Sequence, residues 1–101
     1  MTSQEIANII IQQMGGYGKL KAMIGASNYL VADNGISFQF KGCRKAKKCI
    51  VRLLPDDTYE MRIGKMNMKT FDWEELYNQS GLYWDILKPE FERVTGLYLS
   101  L

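Results

Sequence analysis

The chain contains no histidine, so it lacks both the commonest general base and the commonest metal ligand. Serine-histidine and cysteine-histidine mechanisms are therefore excluded. Its two cysteines, Cys43 and Cys49, would need carboxylates to complete a four-ligand zinc site, and the expectation is no metal and no cofactor. Apolar runs such as Ile9-Ile10-Ile11 and Cys49-Ile50-Val51 fall far short of a membrane span, and the first six residues lack the basic start of a secretory signal. A cytoplasmic protein with two free thiols is expected, with no membrane partner, since small secreted chains often rely on several bridges. There is no internal repeat or low-complexity stretch.

What is present suits one packed domain over residues 1–101. Hydrophobic residues make up 47% and aromatics 12% of the chain, with only two prolines. A chain of this length buries roughly 60 to 68% of its unfolded surface, enough to fold alone.

The capping pair Thr2 and Glu5 opens a helix of about ten residues with Ile6, Ile9, Ile10 and Gln13 on one face, and Gly15-Gly16 stops it. A short second helix is expected over 19–24, ended by Gly25. From Asn28 the period changes to two. Asn34-Gly35 suits a type I′ hairpin turn, and Ile36, Phe38 and Phe40 alternate with polar residues. The segment 49–54 reads as a central strand, Pro55-Asp56-Asp57 as a turn, and Tyr59, Met61 and Ile63 as the next alternating strand. Residues 68–77 fit strand or helix, and the strand-prone Thr70, Phe71 and Trp73 favour a fifth strand. Helical spacing returns over 82–95, with Tyr83, Ile86, Leu87, Phe91 and Val94 on one side, Gly96 as C-cap and Pro89 as a kink or restart. The apolar tail 97–101 is expected to dock. The fold class is α+β: an N-terminal helix and a short second helix, a mainly antiparallel four- to five-stranded meander, and a C-terminal helix on one sheet face.

Charge is unevenly distributed. Lys41, Arg44, Lys45, Lys47, Lys48 and Arg52 hold six of the thirteen positive charges, with no acid from Gly35 to Pro55. Residues 72–92 hold Asp72, Glu74, Glu75, Asp85, Glu90 and Glu92 against Lys88. If the two regions lie on different faces, the molecule is an electrostatic dipole able to orient a charged partner or favour head-to-tail contact between copies, a possible homo-oligomer.

The other chemical candidates are weaker. Cys43 and Cys49 flank the basic turn and would face each other in a hairpin centred near Ala46, but the favoured reading is two ordinary reduced thiols with Cys49 packed in a strand. Lysines beside Cys43 would also lower its pKa. Asp33 and the Asp56-Asp57 pair sit in turns where carboxylates bind local backbone, unlike the facing carboxyls of a glycosidase. Gly15, Gly16 and Gly18 precede Lys19, but the Lys-Ser/Thr ending of a phosphate loop is absent. The basic segment remains, either as a nucleic-acid contact or as solvated lysines that protect a sheet edge. Phe38, Phe40 and Tyr59 are expected under the helices, which leaves few rings for base stacking.

The segments Met14-Gly15-Gly16, Ala22-Met23-Ile24-Gly25-Ala26, Ile36-Ser37-Phe38-Gln39-Phe40-Lys41, Asp57-Thr58-Tyr59 and Thr95-Gly96-Leu97-Tyr98-Leu99-Ser100-Leu101 resemble a family of small uncharacterised proteins from bacteriophages and mobile elements of gut bacteria. The likeness spans nearly the whole chain and brings no catalytic or binding residues. Pro89 departs from the uninterrupted final helix of that pattern. The resemblance implies a phage-type accessory protein in a bacterial cytoplasm, of a kind that often binds host machinery, including defence systems, without an active site.

The expectation is a non-enzymatic protein that binds a host or phage protein, with nucleic-acid binding through residues 41–52 as the alternative. Candidate binding residues are Lys41, Arg44, Lys45, Lys47, Lys48 and Arg52, with Trp73 and Trp84 as aromatic anchors. An exposed aromatic patch favours the protein partner, and a basic surface continuing beyond the hairpin favours nucleic acid.

Overall fold

A computed structural model describes residues 2–99. Two helices, α1 (Ser3–Gln13) and α2 (Tyr17–Ile24), precede five strands: β1 (Ser27–Ala32), β2 (Gly35–Gln39), β3 (Lys48–Leu53), β4 (Tyr59–Met66) and β5 (Trp73–Leu82). Helix α3 (Leu87–Thr95) follows. The strands form one antiparallel sheet in the order β1-β2-β3-β4-β5, which is the expected α+β meander.

Helix α1 begins as the sequence predicts. The Glu5 amide donates to Thr2 Oγ1 at 3.2 Å, and the Thr2 amide donates back to Glu5 Oε1 at 3.2 Å, satisfying two otherwise orphaned donors. The buried face is Ile6, Ala7, Ile10, Ile11 and Met14, while Ile9 is exposed. The expected face was thus rotated by about one position, because Ala7 and Ile11 complete an apolar stripe that Ile9 and Gln13 only border.

The β1–β2 turn is shifted by one residue from the Asn34-Gly35 position that the sequence suggests. Ala32 pairs with Gly35, so Asp33 and Asn34 are the central pair, and only Asn34 of these has positive φ, +56°. Gly35 lies in β2, where a Cβ would collide with the Val51 carbonyl and come within 2.9 Å of Arg52 Cα. Glycine is needed there for close approach of β3.

A meander places alternate connections at alternate ends. Asp33-Asn34 and the turn at Asp56-Asp57 therefore share one end of the sheet, while the β2–β3 loop, residues 40–47, shares the other end with the β4–β5 turn, residues 67–72. The acids of 72–92 do not form a single opposite pole, because Glu74, Glu75 and Glu90 are taken up by Lys65, Arg62 and Arg93. Asp33, Asp56 and Asp57 lie instead at the end away from the basic loop.

Strand β5 runs to Leu82, later than expected, and register shifts against β4 put Tyr77 opposite Ile63 but Glu75 opposite Gly64. This breaks the simple alternation of Phe71, Trp73, Glu75 and Tyr77. Helix α3 starts only at Leu87, so Pro89 sits in its first turn, where its missing N–H is harmless. Tyr83 and Ile86 consequently precede the helix and are exposed.

The core lies between the helices and one sheet face. Phe38, Cys49, Val51, Met61 and Ile63 point into it with Phe91 and Leu87 of α3, all at 0% exposure. Phe91 meets Phe40 edge-on at 5.1 Å between ring centroids and lies 6.3 Å from Phe38. The tail docks as expected: the Leu99 amide donates to Glu92 Oε2 at 2.8 Å and its side chain is buried. Ser100 and Leu101 lie outside the described residues.

Candidate binding surfaces

The basic loop is held firmly at its base. The Phe40 amide donates to the Lys47 carbonyl, the Lys41 amide to the Ile24 carbonyl at the end of α2, and the Lys47 amide to the Gly64 carbonyl, each at 2.8 Å. Ala46 is fully buried, and Gly42, at φ +99°, packs against Leu97. These contacts fix the backbone from which Lys41, Arg44, Lys45, Lys47 and Lys48 project.

The electrostatics of this loop differ from those of the rest of the surface. Arg52 pairs with Glu60 at 3.5 Å, Arg62 with Glu75 at 2.8 Å, Lys65 with Glu74 at 3.9 Å and Arg93 with Glu90 at 2.9 Å. Among the described residues, none of Lys41, Arg44, Lys45 and Lys47 in the loop or Lys48 at the start of β3 has a carboxylate partner. The basic surface continues past the loop, because the stem of Lys41 rests on Gly25, 3.4 Å from where a Cβ would stand, at the end of the helix that carries Lys19 and Lys21.

The eight candidate residues do not form one site. Lys41, Arg44, Lys45, Lys47 and Lys48 cluster at the loop. Arg52 lies four residues along β3, about 13 Å away at the usual strand rise, and answers Glu60. Trp73 starts β5 half-buried over Gly64, whose added Cβ would lie 2.8 Å from Trp73 Cζ2, with the Arg62 guanidinium 5.9 Å from the ring centroid. It borders the basic end through Gly64. Trp84 is separate, following β5 where that strand leaves the sheet beside the turn at Asp56-Asp57.

Trp84 overhangs α1. With Asn8, Ile9, Gln12 and Gln13 it lines an open cleft of about 480 Å³, in which no lining residue is charged. Trp84 is 62% and Ile9 38% exposed. The buried Gln13 Oε1 has no hydrogen-bond donor among the described residues.

The uncovered sheet face neutralises itself. Arg62 holds the Glu75 carboxyl below its ordinary range, and Arg52 and Glu60 occupy paired positions on β3 and β4. The thiols do not face each other: Cys49 sits opposite Phe38 and Ile63 inside the core, where burial pushes its pKa up, and Cys43 lies half-buried in the loop. The two thiols are free, as expected; the alternative cross-strand geometry does not form, because the loop begins at Phe40 and leaves Cys43 outside the ladder. Asp56 is a turn residue as expected; its Oδ1 accepts from Thr58 N at 3.1 Å and Thr58 Oγ1 at 2.6 Å.

Phe71 and Met68 were not among the candidates, yet they are 71% and 76% exposed at the β4–β5 turn. Asn67 makes that turn, its Oδ1 accepting from Lys69 N at 2.9 Å and Thr70 N at 3.3 Å. Asn67, ahead of Met68-Lys69-Thr70, was the available signal.

Comparison of the chain with protein-family models, with curated proteins and with solved structures gives no match.

Proposed function

We propose that this is a non-enzymatic binding protein, a phage-type accessory protein that docks a host or phage protein in the bacterial cytoplasm through the Trp84 cleft. The observation that carries the reading is an exposed tryptophan facing an exposed isoleucine across a cleft without charge. Large aromatics at a surface depleted of charge are the composition of an interface core, and tryptophan is enriched among residues that dominate binding energy. Tyr83 and Ile86, close to Trp84 in the chain, are exposed as well. Gln13 adds a polar element: an unsatisfied buried acceptor costs about 1–3 kcal/mol, and rotation of its amide towards a partner's N–H would remove that cost.

A regulatory or counter-defence role fits such a protein, since occluding a host surface needs no chemistry. The nucleic-acid alternative rests on different residues, those of the basic loop. Affinity capture from host lysate, with and without nuclease, separates the two. A protein retained after nuclease treatment supports the proposal, and retention of nucleic acid alone overturns it.

A further inference from the structure

We infer that the end of the sheet formed by residues 40–47 and 67–72 binds single-stranded nucleic acid, the loop cations holding phosphates and Phe71 stacking on a base. Four observations converge. Among the described residues, the four loop cations and Lys48 at the start of β3 lack carboxylate partners, while Arg52, Arg62, Lys65 and Arg93 have them. Residues 6–55 hold eight lysines and arginines against one acid, Asp33, and Asp33 sits at the opposite end of the sheet. The base of the loop is already fixed by its bonds to α2 and β4, which lowers the ordering entropy that opposes binding. The resulting mutual repulsion of cations is relieved by an anion.

The fourth observation is Phe71. Its φ is +61°, a conformation that costs a bulky residue about 1–3 kcal/mol. The turn enforces it: the Phe71 amide donates to the Asn67 carbonyl at 2.6 Å and the Asn67 amide to the Asp72 carbonyl at 2.8 Å. The strained backbone leaves an aromatic ring in solvent, at the same end of the sheet as the cations. Phe38 and Phe40 are buried and unavailable to a base, whereas Phe71 offers an exposed ring at this end of the sheet.

The ligand class follows from these neighbours. A base in a duplex is already stacked on both faces, whereas an unpaired base accepts an aromatic ring whatever its identity. An anionic bilayer would attract the same cations, but inserting Phe71 would carry the adjacent Asp72 carboxylate towards the acyl region, at a cost that stacking in water avoids.

The test is anisotropy titration of a labelled single-stranded oligothymidylate across a salt series. Five phosphate contacts give a log-log slope of about −3.5 for a single strand, with a Kd in the micromolar range or tighter at physiological salt. Lys45→Glu with Lys47→Glu should weaken binding by more than tenfold and flatten the slope. Phe71→Gly relieves the positive φ while deleting the ring, so its expected loss of about tenfold, at unchanged slope, is not an unfolding effect. Three results would each overturn the inference: no salt-dependent binding by the folded protein, duplex bound as tightly as single strand with Phe71→Gly silent, or phosphatidylserine vesicles preferred over the oligonucleotide.

Discussion

The amide of Lys47 donates to the carbonyl of Gly64 at 2.8 Å, tying the basic loop to β4 directly beneath Trp73. Gly64 makes this junction possible, because a side chain there would collide with the Glu74 carbonyl and crowd the indole ring at 2.8 Å. One glycine thus joins the loop, the fourth strand and the start of the fifth.

Gly35 is the sharper test of the sheet. Gly35→Ala should destabilise the protein by about 3 kcal/mol, at the upper end of ordinary overpacking, since backbone atoms of β3 obstruct the new methyl. Gly18→Ala in α2 meets nothing within 4 Å and should instead stabilise by about 0.5–1 kcal/mol. Urea titrations of the two variants check both signs.

Acid stability should depend on the contact between α3 and β5. The Arg93 guanidinium, followed by the Tyr77 hydroxyl that donates to Glu90 Oε2 at 2.5 Å, lowers the Glu90 pKa from its ordinary 4.5 to about 2. A carboxylate lowered in the folded state contributes stability that is complete above 4.5 and lost as pH falls towards 2. Glu90→Gln should flatten the stability profile in that window and leave its shape near neutrality unchanged, as denaturant titrations across pH would show.

The thiols should differ in access. A brief pulse of alkylating reagent on the native protein should label Cys43, which is half-buried, well before Cys49, which is fully buried. Mass measurement after unfolding without reductant should then show two modifiable cysteines. Equal labelling of both in the native state would contradict the placement of Cys49.

The fold was legible wherever local chemistry and burial agreed. Thr2 and Glu5, Gly25, the alternation of Ile36, Phe38 and Phe40, and Gly96 each state their role in a few residues. The misreadings arose where tertiary contact decides. Gly35 reads as a turn residue until β3 is placed against it, and Phe71 reads as strand until Asn67 closes a turn around it. Pro89 marked a discontinuity correctly, but only packing of Leu87 and Phe91 fixed which side became helix. The basic loop was visible as composition, whereas its extension to Lys21 required the hydrogen bond that the Lys41 amide donates to the Ile24 carbonyl of α2. Trp84 could be named from the sequence, but its cleft depends on α1, far away in the chain.

The central claim is that Trp84 anchors a protein partner. The most direct measurement is the dissociation rate of the captured partner from the wild-type protein, from Trp84→Ala and from Lys45→Glu with Lys47→Glu. A central anchor contributes about 2 kcal/mol or more, so Trp84→Ala should speed dissociation by roughly 30-fold or more, while the loop variant leaves dissociation nearly unchanged. An unaltered dissociation rate in folded Trp84→Ala, or a loss of binding caused by the loop variant alone, would contradict the account.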